Sequence, residues 1–100
     1  MAERYIADNI DMPLSVSEVA SYCALGEKQL TRLFSKYDLI SPLQYINEKR
    51  AERIKLLMHE SDLTLTEISE KMNFNNEYYF NTFFKRHMGI SPGAYKKMIK

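Results

Sequence analysis

The sequence predicts an all-α protein of seven helices, two similar helical units joined by one long helix. Three observations carry that prediction. Phe34, Ile40, Ser41, Pro42 and Tyr45 return fifty positions later as Phe84, Ile90, Ser91, Pro92 and Tyr95. Leu14, Ser15, Ser17, Glu18 and Val19 return as Leu63, Thr64, Thr66, Glu67 and Ile68 at a spacing of forty-nine. Apolar residues recur at helical spacing behind capping signals, and no segment shows the alternation of a strand.

Each element follows from local chemistry. Glu3 to Ile10 reads as a short helix with Ile6 and Ile10 on one face, closed by Asp11 and Pro13. Ser15-Val16-Ser17-Glu18 is a capping box, with Ser15 as N-cap and Glu18 reaching back to it. Its helix runs to Cys23 and buries Val19, Ala20 and Cys23. Gly26 marks a turn, and a helix from Glu27 to Tyr37 turns Leu30, Leu33 and Phe34 inward. Ser41-Pro42 opens the long helix, since serine caps and proline suits a first helical position that needs no amide donor. That helix runs to Glu60 with Leu43, Ile46, Ile54, Leu57 and Met58 at helical spacing.

Thr64-Leu65-Thr66-Glu67 repeats the capping box for a helix buried through Ile68 and Met72. Asn73 accepts a left-handed turn conformation more readily than most residues. A helix from Asn76 to His87 buries Phe80, Phe83 and Phe84. Gly89 ends it, and Ser91-Pro92 starts a last helix through Tyr95 and Met98. The one-residue slip in the repeat falls between Ala24–Leu30 and the longer Asn73–Phe80, where a turn absorbs it. The expected layout is a first unit over 1–41, a linker helix over 42–60 and a second unit over 61–100.

Composition narrows the function. The 100 residues, 45% hydrophobic, suffice for one small domain. No run approaches a membrane span, and no apolar stretch with a cleavage-like site suggests secretion. Cys23 is the single cysteine, which fits a reducing, cytoplasmic setting and a packing role. Cys23, His59 and His87 show no metal-ligand spacing, and no glycine-rich phosphate loop is present. Neither an enzyme nor a cofactor is expected. The net charge is only +1, but it is unevenly spread. Residues 1–27 hold one basic and five acidic side chains. Residues 78–100 hold Lys85, Arg86, Lys96, Lys97 and Lys100 and no acid. Such asymmetry suits a face that meets phosphate.

Two capped helix pairs in register have the layout of paired helix-turn-helix units, in which the second helix of each pair enters a major groove. A nineteen-residue linker is about 28 Å long at 1.5 Å per residue, close to the roughly 34 Å between successive grooves on one side of a duplex. Double-stranded DNA is therefore the expected partner. On the first reading helix Lys28, Gln29, Thr31, Arg32 and Lys36 point outward. The Arg32 fork matches the two acceptors of guanine, with Lys28 and Thr31 as neighbours. A phosphate contact, or an ion pair with Glu27 or Glu48, is the competing reading of Arg32. On the second helix Asn76, Glu77, Tyr78, Tyr79, Asn81 and Thr82 point outward, with Tyr79 expected to pack inward on the linker. Phosphate contacts are expected from Lys36, from Lys85 and Arg86, and at the helix starts marked by Ser41 and Ser91. Lys49, Arg50, Arg53 and Lys55 are weaker candidates, and Arg50 suits a brace within the core.

The stretches LSVSEVA, LTRLFSK, YINEKRAERIKLL, LTLTEISEKMNF and YYFNTFFKRHMGISPGAY together resemble the DNA-binding domain of the AraC/XylS family of bacterial transcription regulators. The resemblance covers the whole chain, and the F-x-x-x-F-K-R and G-I-S-P-x-x-Y spacings near its end are its most specific part. It implies a seven-helix domain on about two turns of DNA, acting in transcription. It places Glu77, Tyr78 and Thr82 at base-reading positions. There Glu77 either accepts from cytosine or stands outside the contact, and Tyr78 or Thr82 packs on a thymine methyl. It also implies one of two settings: the C-terminal part of a longer regulator with a small-molecule-binding or receiver domain before it, or a stand-alone member of this length. Ala24 stands where the family often has glycine, and Ser69 and Asn73 where it favours alanine and glycine. Leu39 stands where Gly89 does in the second copy, and Thr82 replaces a frequent arginine. The alternative is a helical protein-interaction module contacting RNA polymerase or a sensor domain without reading DNA. RNA is a weaker option, because paired rigid helices favour a readable major groove.

Overall fold

The computed structural model describes residues 1–37 and 40–99, so Leu39 and Lys100 lie outside the described residues. Seven α-helices are formed among those described, with no strand: α1 Ala2–Asp8, α2 Val16–Tyr22, α3 Glu27–Lys36, α4 Pro42–Glu60, α5 Leu65–Lys71, α6 Glu77–Met88 and α7 Pro92–Ile99. They divide into two compact units, Met1–Lys49 and Arg50–Lys100, and the boundary falls inside α4.

The first unit closes over Ile6, Val19, Ala20, Leu30, Phe34 and Ile46. α1 stops earlier than its apolar spacing suggests, at Asp8. The Asn9 side-chain amide donates to the Tyr5 carbonyl at 2.9 Å, ending the helix while Ile10 still packs on the core. α2 is capped by Ser15, whose hydroxyl accepts from the Glu18 amide at 3.1 Å. Here Glu18 takes a hydrogen bond from the Ser15 hydroxyl at 3.1 Å, where the predicted box has it return to the backbone. At α3 the Gly26 amide donates to the Gln29 side chain at 2.8 Å. Cys23 sits half-buried at the end of α2, against this core.

The second unit closes over Ile54, Met58, Ile68, Met72, Phe80 and Phe84. Its α5 carries the complete reciprocal box. Thr64 donates its amide to Glu67 at 2.8 Å, and its hydroxyl accepts from the Glu67 amide at 3.1 Å. Those two Thr64 bonds, with the charge of Lys96, hold the Glu67 carboxyl below its ordinary value. A depressed carboxyl stabilises the fold above its unfolded pKa, and that contribution is lost as pH falls through the folded one. Wild-type protein is therefore expected to lose stability below about pH 4.5 that Glu67→Gln, weaker at neutral pH, does not lose; acid-titrated thermal melts of the pair check this.

The repeat reaches into the packing. Phe34 meets Tyr45 edge to face at 5.5 Å, and Phe84 meets Tyr95 in the same way at 5.5 Å. Tyr45 then donates to Glu3 at 3.3 Å, while Tyr95 lies 2.8 Å from the His59 ring nitrogen.

Several apolar residues face outward against expectation. Leu33 is 40% exposed, because a ten-residue helix buries the narrow i, i+4 stripe of Leu30 and Phe34 and leaves Leu33 on its flank. Leu43 and Met98 are also exposed, since Ile46 and Ile99 supply the inward contacts of their helices. Phe83 is only half-buried, and the half-buried His87 ring lies 4.5 Å from it.

Candidate nucleic-acid interface

Each unit contains a capped helix, a tight turn and a second helix. The turns rest on left-handed residues, Ala24 at φ 58° and Asn73 at φ 61°. Asparagine tolerates that region and alanine does so poorly. Ala24→Gly is expected to stabilise the first unit by about 0.5–1 kcal/mol, the relieved backbone cost less the added freedom of the unfolded chain. Urea unfolding of the exposed-site variant checks the sign.

The second turn has a further support. Arg50, only 6% exposed, donates from Nη2 to the carbonyl of Met72, the residue that caps α5. Its guanidinium also lies 4.9 Å from the Phe74 ring. Arg50 thus braces the turn that aims α6, and its charge faces the protein interior. Lys49 sits over the Tyr45 ring at 5.4 Å, while Arg53 and Lys55 are half-buried.

At about 100° per residue, the face of α3 opposite Leu30 and Phe34 carries Lys28, Arg32, Ser35 and Lys36. All four are exposed. Ser35 joins the face through its i+7 relation to Lys28, a signal available in the sequence but masked there by its small size. Arg32 forms no ion pair with Glu27 or Glu48 among the described residues, which leaves its fork available to a ligand. Thr31 is exposed on the flank, and its hydroxyl donates back to the Glu27 carbonyl at 3.0 Å.

On α6 the same rotation places Tyr78, Thr82, Lys85 and Arg86 outward, with Asn81 beside them, and all are exposed. Tyr79, expected to pack inward, is instead 54% exposed. Phe74 and Phe83 fill that side of the core, and Tyr79 pairs with Tyr78 edge to face at 5.6 Å. Asn76 caps the helix by accepting from the Tyr79 amide at 3.0 Å. Glu77 is exposed in the first turn, where a carboxylate complements the helix dipole. Its carboxylate accepts a hydrogen bond from Thr66 of α5, a link across eleven residues that no local pattern announces.

Ser41 and Ser91 are exposed and serve as caps, their hydroxyls accepting from Gln44 and Ala94 amides at 3.3 and 3.2 Å. Among the described residues no group of His, Cys, Asp and Glu is placed to hold a metal ion. Among the described residues no helix is long and apolar enough to cross a membrane.

A family model described as a helix-turn-helix domain matches residues 19–98. The probable transcriptional regulator LumQ of Photobacterium leiognathi is 29% identical over 100 residues, covering 100% of this chain and 40% of LumQ. The C-terminal domain of AraT, a response regulator from Geobacillus stearothermophilus, superposes with a TM-score of 0.88 at 28% identity, over 97% of this chain and 81% of that one. The DNA-binding domain of the transcriptional factor AdpA, solved with a target DNA, superposes at 0.85 over 97% of this chain and 87% of that one; at 21% identity the likeness is one of fold. The chain spans 30–40% of the length of the first curated relatives it matches.

Proposed function

Because this chain belongs to the AraC-type helix-turn-helix family, we propose that it binds double-stranded DNA at a specific sequence as the reading part of a bacterial transcription regulator. In this reading α3 and α6 enter successive major grooves. The observation that supports it most is the pair of exposed faces, opposite Leu30 and Phe34 on α3 and opposite Phe80 and Phe84 on α6, each on the second helix of its helix-turn-helix pair. Such a helix offers base-reading side chains from a rigid backbone. Arg32, with Lys28 and Thr31, reads bases from α3, and Tyr78 and Thr82 read them from α6, with Glu77 tied to Thr66 beside them. Lys36, Lys85 and Arg86, with the helix starts at Ser41 and Ser91, contact phosphate.

The family consists of DNA-binding regulators and no enzymatic role is proposed. For a longer protein containing this chain, RNA polymerase and a preceding sensing or receiver domain are proposed partners, with the cytoplasm as the working compartment.

Selection from a random duplex library tests the reading, followed by binding of the enriched duplex and a scrambled one at two salt concentrations. Two enriched blocks about one helical turn apart are expected, with affinity falling steeply as salt rises. Affinity indifferent to both sequence and salt would sink it in favour of a protein partner. Lys85→Ala is expected to weaken all duplexes alike and to flatten the plot of log affinity against log salt by about one unit. A titration series over salt checks that slope.

A further inference from the structure

The two outward faces occupy the same positions of the repeat and carry different chemistry. Lys28, Thr31 and Arg32 on α3 correspond, fifty residues on, to Tyr78, Asn81 and Thr82 on α6. Both sets are exposed, and Tyr78 is 71% so. The first set offers an ammonium and a guanidinium. The second offers a phenol ring, an amide and a hydroxyl with a methyl group, and its cations Lys85 and Arg86 come only later in the helix.

We propose that the two helices read blocks of different base composition: α3 a block containing guanine, and α6 a block of A·T pairs recognised largely through thymine C5-methyl groups. This inference rests on the DNA reading above. In the major groove guanine presents two acceptors that a guanidinium fork satisfies, and the outward part of α6 that precedes Lys85 has no such fork. An A·T pair presents the thymine methyl and the adenine N6/N7 edge, which suit an apolar contact and an asparagine amide respectively. Tyr78 and Thr82 provide the apolar contacts, and Asn81 the amide.

Two contacts prepare this face. The edge-to-face pairing with Tyr79 at 5.6 Å orients the Tyr78 ring before any ligand arrives. The Thr66 hydroxyl holds Glu77, which sits roughly 140° around the helix from Thr82 at about 100° per residue. The carboxylate is thereby kept to one side of the methyl-reading face, as a brace between α5 and α6.

The test replaces thymine by deoxyuridine, which removes the methyl and leaves base pairing intact. On the selected duplex, the block whose preference relaxes with Tyr78→Ala is assigned to α6. Uracil there is expected to weaken wild-type binding about fourfold per contacted methyl. Uracil in the α3 block is expected to have no effect. Tyr78→Ala, and Thr82→Ser, which keeps the hydroxyl, should bind thymine and uracil duplexes with a smaller ratio than wild type. Sequence-dependent binding with no uracil effect in the α6 block, or an α6 block without A·T pairs, overturns this inference alone. Wild-type binding that ignores sequence overturns the DNA reading and this inference together.

Discussion

Arg50→Ala is expected to destabilise the second unit by about 3 kcal/mol, the largest effect of any single change outside the apolar cores. The guanidinium is buried, it satisfies the Met72 carbonyl, and it lies on the Phe74 ring. Loss of a charged donor to a buried carbonyl costs about 1.5–3 kcal/mol, and a desolvated cation–ring contact adds about 1–2. Because Met72 closes α5 and Phe74 leads into α6, the loss should concentrate in those helices. Hydrogen exchange resolved by residue distinguishes this from general weakening: amides of α5 and α6 should exchange faster while those of α2 and α3 hold. Arg50→Lys should recover only part of the stability, since an ammonium lacks the planar group that covers the ring while donating. Equal acceleration in both units would refute the brace.

Arg32→Ala is expected to cost roughly 1–3 kcal/mol on the preferred duplex and to relax preference at one base pair. The side chain is exposed, opposite the buried stripe of α3, and makes no ion pair with Glu27 or Glu48 among the described residues. Its removal should therefore leave the melting temperature nearly unchanged. Binding measured across single-base variants of the site separates reading from clamping. Equal weakening on every sequence would assign Arg32 to phosphate and refute base reading.

The fold was legible where its causes are local. Ser15, Thr64, Ser41 and Ser91 cap the helices they were expected to cap, because a cap is written within four residues. The full extent of α4 followed from Ser41-Pro42 and the spacing of Ile54, Leu57 and Met58. Asn73 took the left-handed turn that its side chain permits. What was not legible depends on partners distant in sequence. Leu33 and Tyr79 look as apolar as their buried neighbours, and only the packing of adjacent elements decides which of them is covered. The Arg50–Met72 and Thr66–Glu77 bonds span twenty-two and eleven residues, beyond the reach of any periodicity. The outward set of each reading helix was visible as a pattern. The engagement of Glu77 by Thr66 was not.

On α3 and α6 the outward side chains stand about half a turn from Leu30 and Phe34, and from Phe80 and Phe84. A change at position 28, 32, 78 or 82 therefore touches no buried neighbour. Mutational drift at these positions is nearly free of folding cost, so, if they read bases as proposed, lineages descended from this chain can acquire new operators one contact at a time. The phenylalanines beneath them stay fixed, and each half of the molecule is free to diverge in its target without waiting for the other.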